Sequence, residues 1–428
     1  MDKIKSYIID KNIISEIYYV LVVLGYMLTL FVSSMRPGVL ATLLMLLILA
    51  VLFFKKSLKP EGLCDYLVVA FFTYEVISVI WLRLAGYPLN VYTNEFITST
   101  LPIIFYFVGK SCKDRCEEWY KQYLIAMLIL GIIGLVLYIA APQFYIDWSY
   151  DWSYISKADA ATTRVRMNSV VGSTCLSFNM VAGMLAASYF LGESENTENT
   201  ENTENTGKRK IGKLIFSIAC LVLCLLFAIL ANQRSGLVAA ALVIVYVNYL
   251  LFFQLDLIPR KYFYYEIIAI VAVFALLCVV KIDYVLKFWY RIISLPTAIS
   301  ERSEQWVAAV NNMYSTWLGN GLGANGHRAL GIEGAHVIAD GGLVKLYCEN
   351  GVVGFSIWAY LIILAAKKGV KNIGKYYTEL GIIAIGILQS IGSNMLAFQF
   401  CAPIFWFAIG KICEEEVPLL DDNPSDNV

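Results

Sequence analysis

Stretches of roughly 17 to 25 apolar residues, the length an α-helix needs to cross about 30 Å of hydrocarbon, recur along the whole of this 428-residue chain. About twelve can be marked, near residues 17–35, 38–54, 63–82, 95–110, 123–141, 170–191, 213–231, 236–254, 265–281, 343–366, 378–396 and 398–413. Lipid offers no water to backbone N–H and C=O groups, so segments of this length and polarity must satisfy themselves as helices. Hydrophobic residues make up 59% of the chain and charged residues 15%, more apolar surface than a soluble core can absorb. The expected fold class is all-α: one polytopic membrane domain over 1–428 with about twelve transmembrane helices.

Charge asymmetry sets the expected orientation, because Lys and Arg accumulate in short cytoplasmic loops. With the N-terminus inside, 21 of the 33 basic residues fall in alternate, inward segments. Both termini are then cytoplasmic, with extracytoplasmic loops at 142–169 and 282–342. The remaining basic residues are mostly arginines, whose planar fork suits phosphate or carboxylate better than the point charge of Lys. The four Glu-Asn-Thr triplets of 195–206 form a low-complexity stretch within an inward loop, 192–212, with too little apolar surface to fold alone. No small-residue cleavage site follows the first apolar run, so the first span is expected to serve as its own insertion signal. The ten cysteines lie mainly in spans and inward loops, which argues against a disulfide framework. Cys112 and Cys116, or Cys220 and Cys224, lack histidine partners for a metal.

Between the ninth and tenth spans comes the block Gly319-Asn-Gly-Leu-Gly-Ala-Asn-Gly326. Its second half fits G-x-G-x-x-G, but a dinucleotide site needs a preceding strand and a βαβ unit, and this block sits in an outside loop. A tight turn that re-enters the membrane surface, or amides approaching an anion, are the readings that remain. Both histidines, His327 and His336, lie outside. His336 and Asp340 are four apart, so on a helix entering the tenth span they would share a face, where the carboxylate could orient the imidazole. Arg302 and Trp306 share the same spacing. Trp148, Tyr150, Trp152 and Tyr154 suit an interfacial aromatic belt better than sugar stacking. Glu75, inside the third span, is a pathway candidate by its position alone, with no partner named by the sequence.

From about residue 160 onward the chain resembles the O-antigen ligase and O-antigen polymerase superfamily of bacterial polysaccharide assembly. The matching elements, in order, are Asn232-Gln-Arg-Ser-Gly236, Glu301-Arg-Ser-Glu-Gln-Trp306, the glycine block, and Asp340-Gly-Gly-Leu-Val-Lys-Leu-Tyr-Cys-Glu-Asn-Gly351. The first 150 residues match only in being hydrophobic helices. The resemblance implies a glycosyltransferase of the bacterial plasma membrane, working on the outer face. It would polymerise polyprenyl-pyrophosphate-linked (undecaprenyl-type) oligosaccharide repeat units into O-antigen, capsule or exopolysaccharide. It implies no cofactor and no metal, and the outside loops hold no Asp-x-Asp pair to bind one. The bilayer, a flippase and a chain-length regulator are the implied partners; nucleic acid is not.

On this reading Arg302, Arg234 and one of Arg164 and Arg166 would neutralise the leaving pyrophosphate. The spacing does not choose between Arg164 and Arg166, and Arg234 could instead be an interfacial anchor. His336 and Asp340 are the catalytic candidates. The family's His-Asn position falls on Asp340 and Gly341, with His336 four residues earlier, so either could be the base. Two alternatives stay open: a ligase that moves finished glycan to another acceptor, and a flippase or transporter of the same lipid-linked sugar. Polar groups gathered in outside loops rather than spans favour an enzyme.

Overall fold

A computed structural model describes residues 13–32, 37–54, 57–112, 116–153, 166–195, 204–280 and 295–414, and every regular element among them is a helix. The α-helices run in the order α1 (Ile13–Leu28), α2 (Pro37–Phe54), α3 (Leu63–Ile77), α4 (Val79–Leu84), α5 (Leu89–Glu95), α6 (Ile104–Ser111), α7 (Cys116–Ala140), α8 (Gln143–Ser153) and α9 (Ser173–Ser177). They continue with α10 (Met180–Glu195), α11 (Glu204–Ala231), α12 (Arg234–Tyr249), α13 (Lys261–Val280), α14 (Leu295–Asn311), α15 (Gly342–Lys371), α16 (Ile373–Gly392) and α17 (Ala402–Ile412). Among the described residues, four helical stretches are long and apolar enough to cross a membrane: Leu63–Leu84, Glu117–Ala140, Arg234–Gln254 and Gly342–Lys371. Shorter apolar helices cover Ile17–Leu28, Gly38–Phe54, Ile215–Ala231 and Ala402–Ile412.

One large apolar core joins α1, α2, α3, α6, α7, α10, α11, α12, α15, α16 and α17. The tightest seam is α6 against α17. A Cβ on Gly410 would lie 1.9 Å from the Tyr106 carbonyl oxygen, and one on Gly109 would lie 2.2 Å from that of Phe407. Backbone therefore rests on backbone. This is how helices gain dispersion energy in lipid, where the hydrophobic effect does not drive them together. Tyr18, Phe105, Trp119 and Phe407 pack edge to face or tilted around the seam.

Asp65 fixes the N-terminal end of α3. Its carboxylate accepts the Glu61 and Gly62 amides (2.8 and 3.2 Å), the Tyr106 hydroxyl (2.7 Å) and the Lys110 ammonium. Ten residues on, about 15 Å along the axis, the same helix carries the buried Glu75.

Three apolar runs that read as simple spans are interrupted. The run at 95–110 is a π-turn (Phe96–Thr100) and a 3-10 turn (Leu101–Ile103) before α6 begins. Thr98 and Ser99 hydroxyls bond the Glu95 carbonyl (3.3 and 2.8 Å), competing with the helical ladder, and Pro102 cannot donate to it. α15 breaks at Gly351, whose φ of 59° and ψ of −168° lie outside helical space. α16 stops at Gly392, and a 3-10 turn (Met395–Ala397) separates it from α17. Non-helical backbone at such depth is tolerated only where protein or a cavity satisfies it.

The two loops that charge asymmetry assigns to the outer side also hold helices. α8 occupies much of 142–169, and there Trp148 stacks on Tyr145 and donates Nε1 to the Thr29 carbonyl (3.1 Å). α14 lies within 282–342, and α11 extends back into the last Glu-Asn-Thr triplet. The first part of the low-complexity run, 196–203, lies outside the described residues, as do 154–165 and 281–294.

Replacing Gly410 by Ala should push α6 and α17 apart and cost about 1–3 kcal/mol, the scale of overpacking a core. Thermal unfolding in detergent checks this against Gly374→Ala, where a Cβ meets nothing within 4 Å and the melting temperature should hold or rise slightly.

Candidate functional site

The break in α15 is built from both sides. Losing the helical ladder at Gly351 leaves carbonyls before it and amides after it without intrahelical partners. The chain at 316–321 supplies them: the amides of Asn320 and Gly321 donate to the carbonyls of Cys348 and Glu349 (2.9 Å each). In return the amides of Val352 and Val353 donate to Thr316 and Trp317 (2.9 and 3.1 Å). The Tyr74 hydroxyl, from α3, reaches the carbonyls of Asn350 (2.8 Å) and Leu318 (2.9 Å). A Cβ on Gly351 would lie 2.4 Å from the Trp317 oxygen, so both the positive φ and the close approach demand glycine. The glycine block thus turns against the break in α15, with its first amides bonded to the protein's own backbone.

Behind this strap lies a charged cluster. Lys345 of α15, only 7% exposed, pairs with Glu95 at the end of α5 and lies 3.5 Å from Glu349, one turn along its own helix. Glu349 also accepts the Asn325 amide (3.2 Å). Glu75 accepts the Thr100 hydroxyl (2.8 Å) and the Asn350 amide (2.9 Å). All four ionisable groups are buried. A cavity of about 50 Å³, large enough for a few waters, is lined by Glu75, Lys345, Glu349, Ser99, Ser390 and Asn394, with Phe71, Trp358 and Trp406 on its apolar side. Two of the interrupted runs and the break beyond α16 meet at this cavity.

The sequence candidates are distributed around it. Arg302 on α14 donates Nη2 to Asp340 Oδ2 at 2.6 Å, and Trp306, one turn on, donates Nε1 to the Asp340 carbonyl at 2.7 Å, so their shared helical face serves one residue. Both partners of the ion pair stay reachable, at 32% and 41% exposure. Asp340 joins the cavity through its neighbours: Gly342 lines it, and Asn394 donates Nδ2 to Ile338 and Ala339. Arg234 opens α12, where Ser235 touches Gly392 just before Asn394. Arg166 is exposed at that end too, since the next residue's amide, Met167, bonds the Leu230 carbonyl near the close of α11. Arg164 lies outside the described residues.

The shared helical face of His336 and Asp340 is not formed. Residues 335–338 form no helix, and α15 begins only at Gly342, after Gly341 at φ 126°. The segment is tied to the glycine block instead: the Ile338 amide donates to the Asn325 carbonyl (2.9 Å), and Asn325 Nδ2 donates to the His336 carbonyl (2.7 Å). A four-residue spacing therefore does not place the imidazole over the carboxylate. His327, in the 3-10 turn His327–Ala329, is the histidine nearest the charges. Partial desolvation first, and then the Lys345 ammonium, hold its imidazole below the ordinary value, while Asp340 and Glu95 oppose them.

None of Glu95, Lys345 and Asn394 is among the sequence candidates, which cluster in the loops. Glu95, Lys345 and Glu349 nevertheless carry a signal, as ionisable residues inside apolar runs, the same property that marks Glu75. Sequence could not have paired Glu95 with a lysine 250 positions away.

Lys345→Met should leave two buried carboxylates without their cation and cost about 3–5 kcal/mol. The double variant Lys345→Met/Glu95→Gln should recover part of that loss, which a double-mutant cycle of melting temperatures would read. His327 adds a pH term. Its folded-state value lies below the ordinary 6.5, so the stability it contributes is present above that pH and is lost as pH falls through the folded value. The melting temperature of His327→Gln should accordingly fall less on acidification below 6.5 than that of the wild type.

Set beside known proteins, the chain matches no family model, and no curated protein is detectably similar to it in sequence.

Proposed function

We propose that this protein is a membrane glycosyltransferase of the O-antigen polymerase type. It joins polyprenyl-pyrophosphate-linked repeat units on the outer face of a bacterial plasma membrane, in a twelve-span arrangement with both termini cytoplasmic. The observation that carries the reading is the Arg302–Asp340 pair, reachable from solvent and set beside a polar cavity among apolar helices. Arg234 and Arg166 at the same end of the bundle support it, as do the ordered motifs that resemble that superfamily.

The pair offers a way to couple donor binding to base release. A pyrophosphate would compete with the Asp340 carboxylate for the Arg302 fork, since both make charge-assisted, bidentate contacts with guanidinium. Once Arg302 turns to phosphate, Asp340 Oδ2 is released to accept a hydrogen bond from the acceptor sugar's hydroxyl. The acceptor sugar's hydroxyl then attacks the anomeric carbon, the bond from that carbon to the phosphate oxygen breaks, and polyprenyl pyrophosphate leaves. The hydroxyl proton passes to Asp340, or to His336 if that side chain turns toward the acceptor. Ligation of finished glycan to another acceptor would use the same steps.

A second reading, a flippase or transporter for the lipid-linked sugar, is favoured by one observation. Glu75, Glu95, Lys345 and Glu349 lie buried at interrupted helices, where transporters hold substrate and coupling ions. The polar groups are therefore not confined to the outside loops, which weakens the sequence argument against a transporter.

Purified protein given a synthetic polyprenyl-pyrophosphate repeat unit should make polymer without nucleotide sugar and in the presence of a chelator. Asp340→Asn should lower the rate by about 100-fold or more if the carboxylate is the base, and His336→Ala should do so if the imidazole is. Arg302→Lys should keep expression and lose most activity, because charge without the fork is insufficient. In cells lacking the protein, single repeat units on the final acceptor indicate a polymerase. Long glycan on the polyprenyl carrier indicates a ligase, and units trapped on the inner face a flippase. Full-length polymer from the doubly substituted His336 and Asp340 protein would sink the assignment.

A further inference from the structure

Around the cavity, acceptors outnumber donors. Ser99 and Ser390 have committed their hydroxyl protons to the carbonyls of Glu95 (2.8 Å) and Gly386 (2.7 Å), which leaves lone pairs for the cavity. Asn394 is 6% exposed, and its Nδ2 donates to the Ile338 and Ala339 carbonyls at 2.9 and 3.2 Å. Those two bonds fix which way the amide faces. Its Oδ1 is then a buried acceptor that no donor reaches among the described residues.

Charge leans the same way. Glu75, Glu95 and Glu349 set three carboxylates against the single ammonium of Lys345, a formal excess of two negative charges. Lys345 is shared between Glu95 and Glu349, and Glu349 has the Asn325 amide as well. Among the described residues the hydrogen-bond donors to Glu75 are the neutral Thr100 and Asn350, with the Lys345 ammonium acting from farther off. An ion buried without a counter-charge is strongly disfavoured even after its surroundings relax. The deficit is therefore sharpest where Glu75 meets the cavity.

We propose that this cavity binds a monovalent inorganic cation of the sodium class beside Glu75, with Asn394 Oδ1, the Ser99 and Ser390 hydroxyl oxygens and water completing an oxygen shell. Among the described residues no three acidic, histidine or cysteine side chains converge as a metal cluster, whereas calcium takes six to eight oxygens, commonly from several carboxylates. With Glu349 engaged by Lys345 and the Asn325 amide, Glu75 is the carboxylate left to the cavity, and one carboxylate with neutral oxygens suits a singly charged ion. A volume of about 50 Å³ admits such an ion with a few waters. The site holds equally for an enzyme or a transporter, so it stands apart from the glycosyltransferase reading.

The test is thermal unfolding of the full-length, detergent-purified protein in NaCl, KCl or choline chloride at equal ionic strength, with equilibrium binding of radioactive sodium to the wild type. A ligand that binds only the folded state raises stability with its concentration. The expected result is a saturable rise of about 2 °C or more in NaCl or KCl over choline, and one competable sodium bound per chain. Glu75→Gln should abolish the rise. Glu379→Gln, which changes a buried carboxylate bonded to Tyr120 elsewhere in the bundle, should keep it. If Glu75→Gln fails to fold, the wild-type binding and salt series still decide. Equal melting temperatures in all three salts with no bound sodium would overturn the proposal. So would a wild type that is stabilised only by lowering pH, which would mean that protons neutralise the cavity.

Discussion

Everything around the candidate site follows from one requirement: inside a membrane, a broken helix must find new partners for its backbone. The interruption of α15 at Gly351 meets it through a strip of loop, 316–321, that pairs with the helix on both sides of the break. The loop is thereby pulled onto the bundle. Its continuation brings Asn320 and Asn325 inward, where the Asn320 side-chain amide donates to Asn325 Oδ1 (2.9 Å) and the Asn325 backbone amide reaches Glu349. Further on, the chain runs without helix past His336 and delivers Asp340 to Arg302. The geometry of the acidic cluster and the placement of the loop motifs are thus two results of the same break.

The electrostatics depend on it as well. A buried pair such as Lys345 and Glu95 gives little net stability, because desolvation offsets most of the attraction, yet losing one partner is costly. Such a pair is retained where its polarity is used. Here it borders a cavity with two further carboxylates, and the cavity connects through Gly342 and Asn394 to the segment that carries Asp340. Interior charge and reachable ion pair belong to one continuous polar region, about 15 Å along α3 from the Asp65–Lys110 cap.

Legibility in the sequence followed the range of the interaction. Apolar run length is a local property, so helices such as α3, α7, α12 and α15 could be read directly, and the i, i+4 relation of Arg302 and Trp306 held because both lie within α14. The same relation misled for His336 and Asp340, since the spacing rule presupposes a helix and the Gly341–Gly342 step starts one too late. The π and 3-10 turns after Glu95 left traces in Thr98, Ser99 and Pro102, which hydropathy alone passes over. What no local reading could supply was the meeting of residues hundreds of positions apart: Tyr74 with Asn350, Glu75 with Asn350, and Glu95 with Lys345.

The glycine seam between α6 and α17 has a mechanical consequence. α6 runs directly out of the π and 3-10 turns of 96–103, so that segment is clamped at its α6 end, where backbone meets backbone with no side chain between. Its other end leads to Glu95 and α5, which pack against the glycine-rich loop through Val91 and Ala324. Glu95 in turn is tied to α15 through Lys345, so the turns are held at both ends. A displacement of the loop would be resisted at that ion pair, and could not pass into α6 without parting two backbones already in contact.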